Sequence, residues 1–570
     1  MESAQKRSRC AIERRRMAKY QEGQANSNRV FVVGLDGGTY DLVRPWVKEG
    51  ALPTFKRLIE EGASEDLTVE LPPGTAPNWP TFMTGKNPGK HGVIYWFSRQ
   101  KGSWAWSIVN SHSIKEKTIW EIAASHGKRF IAINVPITYP PRFEGGLMVT
   151  GLLTPPSAKV FTHPPELREE INAEVGRYKI YPDEIYREGQ EERFLASLME
   201  TMDIRFRTTR YLMDQHPWDL FMIVYSETDA IQHAFWKLID PKHPKYDEDV
   251  ARRFGSGVLQ VYQRIDQYLA EYMKVLGKGT TLLLMSDHGA GPFYKKFYTN
   301  NWLREQGLLT LKKDLWSRFK YMSFRYGFTM QNVYRLLLRT GVAKYRRRLD
   351  KNESAESLLR KCFLSYRDID WEKTKAFAFG GLGQIYLSSG RLPPGEYEEV
   401  REAIIREIQK VQIPEGGPLV ETVFRKEDLY FGPNTPILPD IVLKPVPGYL
   451  DPGDFEFFSN KIFDEGVGAS GSHRQNGLFL IWGDRVKPGT TVDVPRIRDL
   501  APTILHLLGL PVPSDMDGRV ISETLREEWF EKHPIRYEEI SEIGDKEALT
   551  YSEREEKEIR EKLKGLGYLG

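Results

Sequence analysis

Cysteine is almost absent from this 570-residue chain, which contains only Cys10 and Cys362. Two cysteines provide neither a disulfide framework nor a zinc site built on cysteine ligands. The chain is therefore neither a disulfide-stabilised protein nor a cysteine-zinc protein.

Long apolar runs and a charge imbalance are absent as well. No segment approaches the ~18 consecutive apolar residues of a membrane span. The formal net charge is +3, from 81 basic and 78 acidic residues, so no specific nucleic-acid partner is predicted. The first 28 residues are basic and lack the apolar core of a secretory signal, which predicts a disordered tail and a cytoplasmic protein.

The chain alternates short apolar runs with helical segments. Helices are predicted at about 51–62, where Gly62 is the last residue, and at 258–276, which Gly277 follows. Runs typical of strands buried on both faces occur at 30–35, 130–135, 219–225 and 280–286. This alternation predicts an α/β fold, a three-layer sandwich in which a large, mostly parallel sheet is flanked by helices.

One large domain is expected over residues 29–530. Two stretches, about 155–215 and 293–372, are interpreted as helical insertions that form a cap or lid. Residues 531–570 are predicted to be a charged helical tail. The 293–372 stretch is rich in Lys, Arg and aromatic residues. Its basic face either meets an anionic substrate or membrane surface, or is an ordinary solvated helix face.

The stretch 72–92, PPGTAPNWPTFMTGKNPGKHG, contains the candidate nucleophile. Thr75 lies between a Pro-Pro-Gly turn and the pair Pro77-Asn78, and the run from Trp79 to Met83 predicts a short helix. Thr75 is expected just ahead of the helix N-terminus, where unpaired N–H groups and the helix dipole favour an anion. The pattern predicts a hydroxyl group next to an anion site.

Three predicted strands are each followed by an aspartate: Asp36, Asp229 and Asp287. In open α/β sheets, ligands bind at the carboxyl ends of the strands. We therefore expect the three carboxylates to lie close together at one edge of the sheet.

Three histidines accompany these aspartates. His288 adjoins Asp287, and His233 follows Asp229 by four residues, so that the latter pair shares one face of a helix. His473 lies in a Gly-Ser-His turn before a further strand. Asp and His ligands without Cys suit zinc, or a harder ion such as manganese. Seven other histidines are interpreted as core or surface residues: His112, His126, His163, His216, His243, His506 and His533.

These six side chains together with Thr75 are enough to hold two metal ions. Two ions a few ångströms apart can clamp the attacking and leaving oxygens of an in-line displacement at phosphorus. An ion bound to the Thr75 hydroxyl would lower its pKa and turn it into a nucleophile. The residues therefore predict metal-assisted chemistry at phosphorus.

The chain resembles the alkaline phosphatase superfamily, and most of all its type I phosphodiesterase and nucleotide pyrophosphatase branch. The tail IREKLKGLGYL is similar to tails found in some members. The matching segments, which occur in the family's order, are VGLDGG around Asp36, TAPNWPTFMTGKNPGKHG around Thr75, TDAIQHAF around Asp229 and His233, SDHGAG around Asp287, and GSH at His473.

The resemblance implies an alkaline-phosphatase-like domain with a phosphothreonine mechanism. Thr75 would be the nucleophile, and activated water would hydrolyse the intermediate. The amide of Asn78 would contact a non-bridging phosphate oxygen. Two zinc ions would be held by two sets of ligands: Asp36, Thr75, Asp287 and His288 for one, and Asp229, His233 and His473 for the other.

Two positions depart from the family. Gln232 stands where many phosphodiesterases have glycine, and Gly74 where the eukaryotic enzymes often have lysine. The expected activity is hydrolysis of phosphodiester or nucleotide pyrophosphate bonds in a small-molecule substrate. The alternatives are a phosphomonoesterase, a transferase that passes the phosphoryl group to an alcohol, and a non-catalytic binding protein. The oligomeric state and the leaving group stay open.

Overall fold

The chain is described by a computed structural model over residues 28–100, 103–141, 145–339, 361–388, 392–450, 457–465, 468–540 and 549–568. The predicted N-terminal tail, apart from residue 28, lies outside these ranges. Within them, none of the helices combines the length and the apolar character needed to cross a membrane.

Helices and strands alternate through most of the described chain. The strands are β1 (Arg29–Leu35), β2 (Ala63–Thr68), β3 (Phe97–Arg99), β4 (Trp106–Ile108), β5 (Phe130–Val135), β6 (Gly146–Thr150), β7 (Thr162–His163), β8 (Leu220–Tyr225), β9 (Thr280–Met285), β10 (Gly289–Phe297), β11 (Ala376–Ala378), β12 (Gln384–Leu387), β13 (Val420–Arg425), β14 (Ile441–Pro445), β15 (Gly448–Leu450), β16 (Phe463–Asp464), β17 (Gly471–Arg474), β18 (Asn476–Trp482), β19 (Val512–Pro513) and β20 (Tyr537–Glu538).

The α-helices differ widely in length. They are α1 (Tyr40–Lys48), α2 (Pro53–Glu61), α3 (Thr75–Thr84), α4 (Pro88–His91), α5 (Ile119–Ser125), α6 (Leu167–Glu174), α7 (Glu191–Gln215), α8 (Glu227–Ile239), α9 (Glu248–Phe254), α10 (Gly257–Val275), α11 (Thr299–Glu305), α12 (Leu315–Arg325), α13 (Met330–Arg339), α14 (Pro394–Ile408), α15 (Lys426–Leu429), α16 (Leu500–Leu507), α17 (Glu527–Lys532) and α18 (Glu553–Leu566).

Eight strands form the central sheet, in the order β2-β18-β9-β1-β8-β5-β6-β7. The run from β9 to β6 is parallel, and the outer pairings of β18 and β7 are antiparallel. The four predicted apolar runs form β1, β5, β8 and β9, in which every residue is buried. The predicted α/β fold, with a large mostly parallel sheet flanked by helices, is confirmed.

Helices cover both faces of this sheet. On β1, Phe31 contacts Tyr272 of α10, with the ring centroids 5.0 Å apart. Gly34 lies three residues later and therefore faces the opposite side. There, a Cβ atom on Gly34 would approach the indole of Trp79 in α3 to 2.6 Å. Glycine at this position lets α3, which carries the candidate nucleophile, lie directly on the sheet.

The two predicted insertions contain both helices and strands. In the 155–215 stretch, α7 packs against β5 and α10 within the helix layer. Strand β10 begins before the 293–372 stretch and runs into it, and it pairs with β15, β16 and β17 in a smaller sheet. Helices α11, α12 and α13 follow within the stretch. Residues 340–360 of that stretch lie outside the described part of the chain.

A buried ion pair fixes the start of α8, the helix that carries Asp229 and His233. Arg205 of α7 pairs with Glu227, and both side chains are almost completely buried. The Arg205 guanidinium also donates to the carbonyl of Ile180 at 2.6 Å and to Ser226 Oγ at 3.2 Å. These contacts connect the helix layer to the strand end at which α8 begins.

We expect Arg205→Leu to lower the free energy of unfolding by about 3–5 kcal/mol, because it leaves the Glu227 carboxylate buried and unpaired. Urea denaturation followed by circular dichroism measures the change. Arg252→Leu is the matched control. It breaks an exposed pair with Glu248 and should change stability by less than about 1 kcal/mol. Equal effects of the two substitutions would contradict the structural role of the buried pair.

Candidate active site and metal centre

Thr75 is the first residue of α3. The structure corrects the predicted helix Trp79–Met83, which placed Thr75 ahead of the helix. Gly74 has extended backbone angles and acts as the N-cap, so the helix begins four residues earlier than predicted. Pro77 is tolerated because the N–H groups of a first turn have no intrahelical acceptor. The hydroxyl group therefore lies at the positive end of the helix dipole.

The Thr75 hydroxyl group faces two of the predicted ligands. Its Oγ lies 3.1 Å from His288 Nε2 and donates to Asp36 Oδ1 at 3.4 Å. Thr75 is 1 % exposed, and both neighbours are fully buried. The hydroxyl is thus held between an imidazole and a carboxylate, away from solvent.

Strand order brings the three predicted aspartates to one edge of the sheet. β1 lies between β8 and β9 with parallel pairing on both sides, so the residues that follow these strands meet. Gly37 follows Asp36 with φ +66°, and a Cβ atom there would lie 2.9 Å from Asp229 Oδ1. Its N–H donates to Asp287 Oδ1 at 3.3 Å. Glycine therefore permits the three carboxyl groups to approach one another.

The first cluster that could hold a metal consists of Asp229, His233 and His473. Asp229 and His233 share one face of α8, as their spacing predicts, with His233 Nε2 3.2 Å from Asp229 Oδ2. His473 on β17 places its Nε2 2.9 Å from His233 Nε2 and 3.7 Å from Asp229 Oδ1. This is the set that the resemblance assigns to one ion.

The second cluster consists of Asp36, Asp229 and His288. His288 Nε2 lies 3.4 Å from Asp36 Oδ1 and 3.5 Å from Asp287 Oδ2. The resemblance assigns Asp36, Asp287 and His288 to one ion together with Thr75, and these side chains lie together. The Asp229 carboxylate belongs to both clusters and lies between them.

Backbone carbonyls orient two of the imidazole rings. Nδ1 of His233 lies 2.8 Å from the carbonyl of Gly471, and Nδ1 of His288 lies 2.9 Å from that of Gly289. A ring that donates through Nδ1 presents Nε2 as the ligand atom. Both Nε2 atoms point toward the carboxylates.

The electrostatics of the clusters favour a bound cation. Burial raises the pKa of Asp36 and drives that of Asp287 well above its ordinary range, because a buried carboxylate is poorly solvated. Burial opposes protonation of His288, but Asp287 and Asp36 raise its pKa to about 10. Burial also opposes ionisation of Asp229, yet His233 lowers its pKa. Without a cation, the carboxyl groups can be negatively charged only where a neighbouring imidazole or carboxyl group holds a proton.

Two buried carboxylate oxygens at the clusters make no hydrogen bond: Oδ2 of Asp229, which lies 3.2 Å from His233 Nε2, and Oδ2 of the neighbouring Asp287, which lies 3.5 Å from His288 Nε2. Neither oxygen has a donor when these Nε2 atoms present their lone pairs, as the bonds through Nδ1 indicate. A buried carboxylate oxygen without a hydrogen-bond partner destabilises the folded state, because no protein contact replaces the water it has lost. Divalent metal ions bind such oxygens together with imidazole nitrogens. The donor set therefore fits divalent metal ions at both clusters.

The Asn78 side chain is engaged by the turn before Thr75. Its Oδ1 accepts from the N–H of Glu70 at 2.8 Å, and its Nδ2 donates to the carbonyl of Gly74 at 2.9 Å. These bonds hold the loop that leads into α3. The predicted contact with a phosphate oxygen stays a prediction.

Gln232, which departs from the family, braces the loop after β1. Its Nε2 donates to the carbonyls of Gly37 at 3.0 Å and Thr228 at 2.8 Å. Thr228 in turn donates through Oγ1 to the carbonyl of Asp36 at 2.6 Å. The side chain thus connects the backbones that carry Asp36 and Asp229.

Tyr568 is a site residue that sequence reasoning missed. Its Oη donates to Asp36 Oδ2 at 3.4 Å, and its ring contacts His233. The sequence signal for this residue is an aromatic side chain that follows an amphipathic helix and its terminal glycine.

The remaining histidines belong to neither cluster of the described residues. His91, which the sequence reasoning did not consider, lies 3.0 Å from Thr81 Oγ1 in the core. Burial lowers its pKa to about 3.

Comparison with known proteins identifies the family. The family described as "Type I phosphodiesterase / nucleotide pyrophosphatase" matches residues 30–451. Among curated proteins, none matches this sequence significantly. The solved structures that resemble the chain show similarity in fold at low sequence identity.

Two of these structures align with most of this chain and with nearly all of their own. Phosphonoacetate hydrolase from Sinorhizobium meliloti 1021, in complex with phosphonoacetate, has a TM-score of 0.51 and 15 % identity, with 84 % of this chain and 95 % of that chain covered. Human ectonucleotide pyrophosphatase / phosphodiesterase 5 has a TM-score of 0.48 and 16 % identity, with 88 % and 100 % covered. From the family match over residues 30–451, the chain belongs to the type I phosphodiesterase / nucleotide pyrophosphatase family of phosphoester hydrolases.

Proposed function

We propose that the protein is a two-metal hydrolase of phosphodiester or nucleotide pyrophosphate bonds in small molecules, with Thr75 as the nucleophile. The position of the Thr75 hydroxyl carries this proposal. It lies at a helix N-terminus, 3.1 Å from His288 and 3.4 Å from Asp36, within a buried cluster of carboxylates and imidazoles. Family membership supports phosphoester hydrolysis.

The two clusters would hold two divalent ions, and zinc or manganese suits their ligands. Asp36, Asp287, His288 and the Thr75 hydroxyl would hold one ion, and Asp229, His233 and His473 the other. When bound, the ions supply positive charge that activates the hydroxyl group and stabilises charge on the phosphoryl oxygens.

The side chains of the site arrange two displacements at phosphorus. In the first, Thr75 Oγ forms a bond to phosphorus while the bond to the leaving alcohol or phosphate breaks. Asp36 accepts the hydrogen bond of the attacking hydroxyl and so orients it. The N–H groups at the start of α3 face the negative charge that develops. In the second, water attacks phosphorus, the bond to Oγ breaks, and Thr75 is regenerated.

Asn78 contributes by positioning in this arrangement. Its bonds to Glu70 and Gly74 fix the loop before Thr75. Its Nδ2 carries two hydrogens, one of which donates to the Gly74 carbonyl at 2.9 Å and the other to the Glu70 carbonyl at 3.4 Å. A direct contact with a phosphate oxygen would use the hydrogen of the longer bond.

We also propose that the exposed surface of helix α12, in the 293–372 stretch, contacts an anionic membrane. Its apolar residues Leu315 and Phe319 are 86 % and 58 % exposed, and Trp316 stacks on Phe319. Exposed basic residues lie beside them, among them Arg318 and Arg325. Aromatic residues flanked by cations suit a membrane interface with anionic headgroups. A cytoplasmic location stays part of the proposal.

We expect Thr75→Ala to abolish hydrolysis of a nitrophenyl phosphodiester, with a loss of at least about 10³-fold, because it removes the hydroxyl group that forms the covalent intermediate. Steady-state kinetics on a monoester, a diester and a nucleoside triphosphate, with product identification, measures the loss and defines the preferred bond. Thr84→Ala is the matched control, because its hydroxyl donates to the Pro80 carbonyl and accepts from the Lys86 N–H, at the other end of the same helix. Undiminished turnover by Thr75→Ala would refute the proposed nucleophile.

Metal analysis by mass spectrometry is expected to find two divalent ions per chain. Removal by a chelator should abolish turnover and lower the melting temperature, because an ion that binds only the folded state stabilises it. Zinc or manganese should restore both. His473→Ala should retain one ion, while His126→Ala, at the surface, should retain two. A chain that binds no metal would contradict the two-ion proposal.

Sedimentation with vesicles of phosphatidylserine tests the membrane surface. We expect binding at low salt that weakens as salt is added, and a clear reduction in the Trp316→Ala/Phe319→Ala variant. Phe431→Ala removes a similarly exposed aromatic residue elsewhere and should bind normally. Neutral phosphatidylcholine vesicles provide the lipid control. Absence of salt-sensitive binding by the wild type would eliminate this surface as a membrane contact.

A further inference from the structure

The candidate active site is closed to solvent in this structure. Thr75 is 1 % exposed, and His233, at the outer side of the clusters, is 6 % exposed. A nucleophile that attacks a small molecule from solution must become accessible at some stage of the reaction. The part of the chain that covers the site is therefore functionally important.

The cover is the last described residue of the chain, Tyr568. Its ring packs edge-on against His233 at 5.9 Å, His473 at 6.4 Å and Trp96 at 5.4 Å between centroids. Its hydroxyl donates to Asp36 Oδ2 at 3.4 Å. The phenol therefore touches ligands of both clusters and fills the space beside them.

The approach of Tyr568 depends on the preceding glycine. Gly567 ends helix α18 with φ +94°, a conformation that other residues rarely adopt. A Cβ atom on Gly567 would lie 3.2 Å from His233 Cβ and Cγ. Glycine thus provides both the turn and the room that bring the tyrosine into the site.

Helix α18 is held against the protein by a narrow apolar stripe. Ile559, Leu563 and Leu566 are its buried residues, while much of the remaining surface is charged. Arg560 lies over the Phe97 ring at 4.4 Å, and Lys562 over the Tyr181 ring at 5.4 Å. A helix with so small a buried face is the kind of element that detaches without global unfolding.

The docking surface of α18 lies on strand β3 and on the 155–215 stretch, which the sequence predicts to be part of a cap or lid. Phe97 is in β3, and Tyr181 follows α6. Ser157 donates its backbone N–H to Glu558 at 3.0 Å. These residues form the surface on which helix α18 docks, next to the clusters.

We propose that residues 553–568 are an intramolecular inhibitor of the site, in which Tyr568 occupies space that the substrate must enter. The inference rests on the proposed function, because it takes the clusters as the place where a phosphoryl group binds. A phosphoryl group held by both clusters would compete with the phenol beside Asp36. Substrate binding and docking of α18 are then mutually exclusive, and turnover requires the helix to withdraw.

Two full-length variants test this competition by different routes. Tyr568→Ala removes the group in the site, and Leu563→Ala loosens the helix without touching the clusters. We expect both to raise kcat/KM for a nitrophenyl phosphodiester, by up to about tenfold, because a larger fraction of molecules has an open site. Glu561→Ala, at an exposed position of the same helix, is the matched control and should leave kcat/KM unchanged.

A second measurement does not depend on turnover. Diethyl pyrocarbonate modifies accessible imidazoles, and mass spectrometry identifies the modified residues in chelator-treated protein. We expect His233 and His473 to react faster in both variants than in the wild type or in Glu561→Ala. Because Leu563→Ala leaves Tyr568 and both histidines in the chain, faster reaction in Leu563→Ala reports withdrawal of the helix.

The outcomes separate the inhibitor from its alternatives. Lower kcat/KM in Tyr568→Ala and Leu563→Ala would overturn the proposal, since the tyrosine would then be a permanent wall of the substrate pocket. Unchanged histidine reactivity in Leu563→Ala would overturn it as well. If the wild type and all variants hydrolyse no phosphodiester, the proposed function fails, and the histidine reactivity still decides whether the helix covers the site.

Discussion

Burial of negative charge at one edge of the sheet is the constraint on which the rest of the site depends. Parallel pairing of β1 with β8 and β9 brings Asp36, Asp229 and Asp287 together in the interior. Several unpaired carboxylates are too costly to bury in one place. Imidazoles from α8, the β9–β10 connection and β17 offset part of this charge. The oxygens that make no hydrogen bond are best satisfied by cations, which makes the same constraint the source of the proposed chemistry.

The backbone around the clusters is fixed by neutral polar contacts, which add no charge to the site. Gln232 and Thr228 connect the loops that carry Asp36 and Asp229, and Asn78 fixes the turn before Thr75. Carbonyl groups set the orientation of two histidine rings. Such positioning matters because displacement at phosphorus requires the nucleophile and the charged groups to be aligned before the reaction begins.

The strands, and the Asp and His side chains that come together at the sheet edge, could be predicted from the sequence because they follow from local patterns. Apolar runs of six or seven residues are typical of strands buried on both faces of a sheet, and the polar residues that follow such strands lie at the edge of the sheet. Helix α3 was predicted too short, because Pro77 looks like a boundary in the sequence, although a first helical turn accepts proline. The position of Asp229 between both clusters depends on how α8 leaves β8, which spacing alone does not specify.

By itself, the sequence determined the chemical types of the clustered side chains, their order and the strand ends that carry them, since chain polarity and hydrophobic pattern are local properties. Only the tertiary structure decided which groups meet across long separations. Tyr568 lies 532 residues from Asp36 and reaches it through the docking of helix α18. Contacts of this kind arise from the shapes of packed surfaces, and these surfaces exist only once the chain has folded.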